Sequence, residues 1–216
     1  MVDLILFGDC KETLKQFPRG SAQMCVTSPP YYGLRDYGGE TDQIGQEDTP
    51  EQFVDNLVSV FREVRDVLKD DGTLWVNIGD SYYNYRPGTG GLPKQTVSKT
   101  SQDLPTQCNR RANKLDGLKE KDLIGIPWML AFALRADGWY LRQDIIWHKP
   151  NPMPESVKDR CTKSHEYIFL LSKQRKYYYD NEAIKEPVKQ DWGKRDRTTG
   201  KYHNPGTGLQ PHSGLT

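Results

Sequence analysis

The four residues Ser28-Pro29-Pro30-Tyr31 place a hydroxyl group, two prolines and a phenol next to one another. They follow the short apolar run 24–27, which predicts a buried strand. The prolines fix φ and remove two backbone N–H groups, so the strand must stop at a rigid turn that leaves carbonyl oxygens unpaired. Open α/β sheets bind their ligands at the carboxyl edge of the strands, and this turn is predicted to lie at that edge.

An exocyclic amino group on a planar base matches these groups. The Ser28 hydroxyl and the Pro29 carbonyl can accept its two hydrogens, while the Tyr31 ring stacks on the base. Because the amino lone pair is conjugated with the ring, these hydrogen bonds would hold the nitrogen closer to tetrahedral and point the lone pair at a methyl donor. This chemistry needs no nucleophilic cysteine, and Cys25 is predicted to be a core residue. A strand that simply ends in a proline turn is the alternative.

The segment Ser28–Tyr31 resembles the catalytic motif of the amino-methylating DNA methyltransferases, which use S-adenosylmethionine. Similarity to this family continues, in order along the chain, through 27–38, 72–81 and 138–172. The resemblance implies an α/β fold, namely a partial Rossmann-like sheet with helices on both faces. It also implies that the target base is flipped out of double-stranded DNA. The serine favours cytosine N4 as the target, and adenine N6 is the alternative.

Gly8-Asp9 is the predicted cofactor site. These residues end a predicted strand over Leu4–Phe7 and precede a predicted helix over Cys10–Phe17. In the resembling family an acidic residue at this place faces the adenosine part of S-adenosylmethionine, since a carboxylate at a strand end can accept hydrogen bonds from adenine or ribose. Without the resemblance, Asp9 could equally be a helix N-cap.

The proline-rich segment 147–154 resembles the family's Trp-x-Lys-x-Asn-x-x-Pro pattern, which lines the base pocket. The resemblance places Trp147 beside the base and lets Lys149 or Asn151 hold a phosphate or a base edge. Tyr32 is a further aromatic candidate for the pocket. A rigid surface loop without a ligand is the alternative interpretation of this segment.

Charge is distributed unevenly, with a net charge of −8 over residues 1–85 and +9 over residues 86–216. The basic half favours a polyanion such as DNA, although an ordinary solvated surface can carry the same charge. Residues 86–118 are rich in glycine and proline, contain Arg110 and Arg111, and have few apolar residues. We predict that they form a mobile loop that contacts the DNA backbone.

The length of 216 residues suits one medium α/β domain. We predict the catalytic part over 1–187 and the start of a target-recognition region, poorly ordered, over 188–216. The resembling family often has a permuted motif order with a Gly-rich cofactor loop near the end, and this sequence has no such loop. We therefore expect the N-terminal part of a longer enzyme, an enzyme completed by a second chain, or an inert DNA-binding fragment.

The remaining features exclude several classes of protein. No apolar run is long enough to span a membrane, and the first residues lack the features of a signal peptide. The four cysteines do not have metal-ligand spacing, and His165-Glu166 lacks the second histidine of a zinc motif. We expect reduced thiols, no metal site and a cytoplasmic protein.

Overall fold

The structure is a computed structural model that describes five parts of the chain, residues 5–36, 43–83, 106–107, 115 and 117–186. The chain divides into two units, Met1–Tyr178 and Tyr179–Thr216. Of the second unit, the structure describes residues 179–186, which contain a turn. In the described parts, no helix is both long enough and apolar enough to cross a membrane.

The described residues form a four-stranded sheet, three helices and a small strand pair. In spatial order the sheet consists of β1 (Ala22–Thr27), β3 (Leu68–Ile78), β6 (His165–Ser172) and β5 (Tyr140–His148). Strands β1 and β3 are parallel, whereas β6 is antiparallel to both of its neighbours. The helices are α1 (Cys10–Leu14), α2 (Pro50–Val67) and α3 (Ile126–Ala136). The small pair joins β2 (Arg35–Asp36) to β4 (Thr106–Gln107).

The residues 49–52, Thr-Pro-Glu-Gln, predict a helix start, and Gly72 is predicted to close that helix. Helix α2 begins at this predicted start. The Thr49 hydroxyl accepts a hydrogen bond from the backbone N–H of Gln52 at 3.2 Å, and Pro50 occupies the first helical position. Apolar residues at helical spacing then bury one side of the helix, and Phe53 and Phe61 are almost completely inaccessible. This packing fixes the helix against the sheet.

Gly72 does not end this helix, as the sequence had suggested, because α2 stops at Val67 and β3 begins at Leu68. A Cβ at Gly72 would lie 2.9 Å from the carbonyl oxygen of Lys69 and 3.2 Å from that of Gln23. The pairing of β3 with β1 shifts register at this level. The glycine therefore allows a close backbone approach at an irregularity in the strand.

All three described helices pack on the same side of the sheet. The core there joins Leu74 of β3 and Phe169 of β6 to residues of α2 and α3, and Leu14 of α1 packs against it. On the opposite face of β1, Met24 is 56% exposed and Val26 is 68% exposed. Helices were predicted on both faces, and among the described residues that prediction is met on one face.

The predicted strand Leu4–Phe7 is wrong for its described residues. Residues 5–7 form no strand, and the Phe7 side chain is 92% exposed. Extended residues need a neighbouring strand for their backbone hydrogen bonds, and in the described part of the chain β1 pairs only with β3. Helix α1 is also shorter than predicted, because it ends at Leu14.

Several predictions concern residues outside the described ranges. These include Arg110, Arg111, most of residues 86–118 and all of residues 188–216. Of the predicted basic loop, Thr106–Gln107 are paired with β2, so part of it is anchored to the rest of the chain. The DNA contacts and the domain boundaries assigned to these segments stay predictions.

Candidate active site

The turn after β1 lines two cavities at once. Ser28, Pro29 and Pro30 all contribute to an apolar cavity of about 500 Å³ and to a polar cavity of about 510 Å³. We call the first the helix-side cavity, because α1 and α2 supply much of its wall. We call the second the polar cavity, and its remaining lining residues are Tyr31, Leu34, Asn77, Trp147, Lys149 and Glu166.

The helix-side cavity is bounded by Gly8, Thr13 and Leu14 at one end and by Leu57 and Phe61 of α2 along its side. Gly8 has φ of +124°, a conformation that side chains disfavour, and a Cβ there would lie 3.4 Å from the Thr13 hydroxyl oxygen. The cavity therefore combines an apolar wall with a stretch of open backbone at its rim.

Asp9 caps the helix beside this cavity. Its Oδ1 atom accepts hydrogen bonds from the backbone N–H groups of Lys11 at 2.8 Å and Glu12 at 3.2 Å. Of the two roles that the sequence left open, the structure contains the N-cap. The side chain faces a neighbouring hollow lined by Gln46 and Glu47, and its cofactor role stays a prediction.

Asn77 of β3 orients the Ser28 hydroxyl in the polar cavity. Its Nδ2 atom donates to the backbone carbonyl of Tyr167 at 3.2 Å, which turns its Oδ1 atom towards the turn after β1. The Ser28 hydroxyl then donates to Oδ1 at 3.3 Å. Because its proton is used in this way, the lone pairs of the serine oxygen are left for an incoming N–H group.

Tyr31 is held by its hydroxyl group. The oxygen lies 3.0 Å from Oε2 of Glu166 and 3.1 Å from Oδ1 of Asn77. A phenol has one proton to donate, and the carboxylate is the stronger acceptor. Burial raises the pKa of Tyr31 to about 12; a hydrogen bond with Ser28 opposes this rise, and the hydrogen bond and charge of Glu166 add to it. The hydroxyl therefore stays protonated and donates at neutral pH.

Gly79 leaves room for the Tyr31 ring. A Cβ atom there would come within 2.5 Å of Tyr31 Cε2 and 3.0 Å of Cδ2, which is closer than such atoms approach. The edge of the ring thus rests directly on the backbone of the segment after β3. Asp80, the next residue, caps α3 instead, because its carboxylate accepts hydrogen bonds from the backbone N–H groups of Gly125 and Ile126, each at 3.0 Å.

Trp147 and Lys149, two of the predicted site residues, line the polar cavity. Trp147 is half exposed, and the Lys149 ammonium lies 6.0 Å from its ring centroid. Lys149 also forms an ion pair with Glu166. Burial raises the pKa of the Glu166 carboxyl, but the hydrogen bonds from Lys149 and Tyr31 outweigh this effect and lower the pKa overall.

Two other candidates lie elsewhere. The Tyr32 hydroxyl donates to the backbone carbonyl of Asp48 at 3.3 Å, and its ring packs on Phe53 of α2. The structure thus places this ring against the helix and away from the cavity that Tyr31 lines. Asn151 is exposed on the loop after β5.

The sequence did not identify Asn77 or Glu166 as site residues. The mostly apolar runs 73–78 and 165–171 predict strands, and Asn77 and Glu166 are polar residues within them; this is the signal that could have found them. A polar side chain in such a strand is unusual unless it has a partner. The sequence around Glu166 lacks a zinc motif, and no cluster of potential metal ligands occurs in the part of the chain that the structure describes.

Comparison with solved structures shows the fold. The cytosine-N4-specific PvuII DNA methyltransferase superposes with a TM-score of 0.53 at 19% identity, covering 80% of this chain and 50% of that protein. A Thermus thermophilus protein solved in complex with S-adenosyl-L-methionine gives a TM-score of 0.52 at 24% identity, covering 82% and 55%. The predicted Rossmann-like methyltransferase fold is therefore confirmed.

Sequence comparison identifies the family. The Type II methyltransferase M.Cfr9I of Citrobacter freundii is 53% identical over 192 residues, which cover 89% of this chain and 61% of the relative. M.SmaI of Serratia marcescens is 54% identical over 184 residues, covering 85% and 60%. The chain thus spans about three fifths of these relatives. A family model described as DNA methylase matches residues 22–210, and the chain belongs to this family of N6/N4 amino-methylases.

Proposed function

We propose that this chain carries the base-methylating site of a site-specific DNA methyltransferase. The observation that carries the proposal is the turn Ser28–Pro30, which lines the helix-side cavity and the polar cavity together. Methyl transfer requires a donor and an acceptor to meet at one point with fixed geometry. The rigid turn forms a wall that two cavities of similar size share. The methyl donor and the base can therefore bind in separate cavities and meet at this turn.

The helix-side cavity is the proposed site of S-adenosylmethionine. Its apolar wall and the open backbone at Gly8 suit a nucleoside. Asp9 follows Gly8 in the chain and lines the neighbouring hollow, and it is the proposed acceptor for adenine or ribose. The cofactor supplies an electrophilic methyl group when bound. The apolar residues Leu57 and Phe61 exclude water from this chamber.

The polar cavity is the proposed site of the flipped base. The Ser28 hydroxyl and the Pro29 carbonyl accept the two N–H groups of the base, and Tyr31 and Trp147 provide aromatic contact in place of lost stacking. Held in this way, the amino nitrogen would be placed to accept the methyl group of the cofactor; the electron pair of the broken C–S bond would stay on sulfur, and one proton of the nitrogen would pass to solvent. Catalysis here depends on positioning and needs no covalent enzyme intermediate.

Cytosine N4 is the proposed target, and adenine N6 is the alternative. The serine at the first position of Ser28–Tyr31 supports the cytosine assignment through the family resemblance. Enzymatic digestion of methylated DNA and mass spectrometry of the nucleosides would decide between them. N4-methyl-2′-deoxycytidine supports the proposal, and N6-methyl-2′-deoxyadenosine replaces it with the alternative.

Double-stranded DNA is the proposed partner, contacted by Arg110, Arg111 and Lys149. Neutralised phosphates release counterions, so the logarithm of the binding constant falls linearly with the logarithm of salt concentration. Replacing Arg110 and Arg111 together by alanine should make that negative slope less steep, reducing its magnitude by about 2. An unchanged slope would show that these residues do not contact phosphates.

Further polypeptide is proposed to complete the active enzyme, either a second chain or a continuation of this one. The support is that the chain spans about three fifths of its relatives, and that β1 has a free edge and exposed Met24 and Val26 among the described residues. An unpaired strand edge beside exposed apolar side chains is costly in water. An inert DNA-binding fragment is the alternative.

Calorimetric titration with S-adenosylmethionine tests the proposal first. Tight binding by the 216-residue chain would show a complete donor site and would lead directly to a DNA methylation assay. Absence of binding would support the need for further polypeptide, and the titration would then be repeated with that polypeptide present. If neither preparation binds the cofactor or methylates DNA, the proposed function is wrong.

A further inference from the structure

Glu166 connects residues from opposite ends of the sheet. Its Oε2 atom accepts the Tyr31 hydroxyl at 3.0 Å, and its Oε1 atom pairs with the Lys149 ammonium. We propose that Glu166 is a positioning residue for base methylation. It acts through Tyr31 and Lys149 and fixes these two lining residues of the base pocket relative to each other. This inference rests on the proposed function of the polar cavity.

The strand order explains why one carboxylate can have this role. Tyr31 follows β1, Lys149 follows β5, and these are the two outer strands of the sheet. Glu166 lies at the start of β6, next to β5, and is the direct cross-strand partner of Trp147. The carboxylate therefore couples two segments that are separated along the edge of the sheet.

Asn77 extends this connection to the serine. Its Oδ1 atom lies within hydrogen-bonding distance of both the Ser28 and the Tyr31 hydroxyls, at 3.3 and 3.1 Å. As long as Glu166 takes the tyrosine proton, Asn77 can take the serine proton. Removing the carboxylate would leave Asn77 Oδ1 as the acceptor that both hydroxyls share, and a shared oxygen orients each of them less strongly. Glu166 thus protects the orientation of Ser28 without touching it.

Burial makes the carboxylate effective as a structural link. The Glu166 side chain is 17% exposed and that of Lys149 is 41% exposed, so the pair is only partly screened by water. Both carboxylate oxygens already have protein partners. The role that remains for Glu166 is therefore to fix its neighbours.

Carbon-13 NMR of tyrosine in the 216-residue chain tests the contact without requiring activity. The Tyr31 ring signal, identified by its loss in Tyr31→Phe, reports ionisation of this phenol. Glu166→Gln should lower the pKa of Tyr31, because the carboxylate that opposes its ionisation is gone. Asp159→Asn removes an exposed carboxylate paired with Lys121 and is the matched control, with no expected change. A Tyr31 titration that Glu166→Gln leaves unmoved would overturn the proposal.

Methylation kinetics then test the functional role, in a preparation in which the wild type methylates DNA. Glu166→Gln should lower kcat by about 10-fold or more and leave the KM for S-adenosylmethionine unchanged, whereas Asp159→Asn should change neither. In a Tyr31→Phe background, the effect of Glu166→Gln should shrink, because the two act through the same contact. Equal effects in both backgrounds, or an unchanged kcat, would overturn the positioning role.

Two further outcomes separate this inference from the proposed function. If Glu166→Gln does not fold, Lys149→Met removes the other half of the ion pair and the Tyr31 titration is read in that variant. A Tyr31 pKa that then rises, as the unpaired carboxylate charge acts more strongly on the phenol, supports the proposal, and an unchanged value overturns it. If the wild type methylates no DNA even with the further polypeptide present, the proposed function fails and the methylation role of Glu166 with it, although the tyrosine titration still shows whether the contact exists.

Discussion

The two cavities that share the turn after β1 are built in different ways. The helix-side cavity takes its wall from α1 and α2, where apolar residues recur at the spacing of a single helix face. The polar cavity draws Asn77, Lys149 and Glu166 from three separate segments of the chain. The first is an outcome of local periodicity and burial, and the second depends on strand register and side-chain hydrogen bonds. Substitutions should therefore separate donor binding from base methylation.

The largest separation is expected from the shared turn. Ser28→Ala removes an acceptor for the base amino group, and Tyr31→Ala removes the aromatic wall. Loss of one such polar contact typically lowers kcat by about 10²- to 10³-fold. Cofactor binding should be largely retained, because the backbone of the turn and the helix-side cavity are unchanged.

Calorimetry with S-adenosylmethionine and a methylation assay on the same preparations check this prediction. Ser21→Ala, an exposed serine just before β1, is the control and should resemble the wild type. Loss of cofactor binding in both variants would contradict the assignment of the two cavities, since it would show that the turn mainly holds the donor.

A second test acts on the polar cavity through a residue that is not itself polar. Gly79→Ala places a methyl group where the Tyr31 ring now lies, and either the ring or the segment must move. We expect methylation to fall by about 10-fold or more with cofactor binding retained, because a misplaced aromatic wall costs base positioning. The ring contact with Gly79 would be excluded if the variant methylated DNA at the wild-type rate.

The sequence predicted helix α2, which forms one side of the helix-side cavity, better than it predicted the hydrogen bonds of the polar cavity. Thr49, Pro50 and the apolar repeat that follows them act within one helix, so their effect can be read locally. Ser28 and Tyr31 could be identified because two prolines mark the turn between them. Glu166 could not be identified in this way. Its partner Tyr31 lies far away along the chain, and its other partner, Lys149, follows the neighbouring strand β5. Only the register of β5 against β6 brings Lys149 and Glu166 together.

The same distinction explains the errors. The run Leu4–Phe7 has the composition of a strand, but a strand also needs a neighbour, which composition does not specify. Gly72 was interpreted as a helix end because glycine often has that role. Its actual place in an irregularity of β3 depends on the approach of the Gln23 carbonyl, a contact from a distant part of the chain.

A smaller effect, on stability, is expected at the cap of α3. Asp80→Ala leaves the backbone N–H groups of Gly125 and Ile126 without their carboxylate partner, and loss of such a cap typically costs about 1 kcal/mol. Urea denaturation should show a lower midpoint with an unchanged slope. Glu120→Ala, an exposed carboxylate in the segment before α3, is the control. Equal midpoints for Asp80→Ala and the wild type would show that water replaces the cap at no cost.

The smallest expected effect is the pH dependence that Glu166 adds to stability. Its pKa lies below the ordinary value of 4.5 in the folded protein, so the folded state binds this proton less readily than the unfolded state. The resulting stabilisation is complete above the unfolded pKa and is lost as the pH falls through the folded one. Wild type and Glu166→Gln should therefore differ most in unfolding free energy near neutral pH, and the difference should shrink under acid conditions.

Urea denaturation of both proteins at several pH values measures this difference. Asp159→Asn provides the comparison, because Lys121 also lowers the pKa of Asp159 but the pair is exposed and screened by solvent. The unfolding free energy of Asp159→Asn should differ little from that of the wild type at every pH. The unfolding free energies of wild type and Glu166→Gln could instead differ by the same amount at every pH. That result would mean that Glu166 stabilises the polar cavity by packing and not by its charge. The stability of the polar cavity would then depend on packing, as that of the helix-side cavity does. The charge of Glu166 would matter only for base methylation.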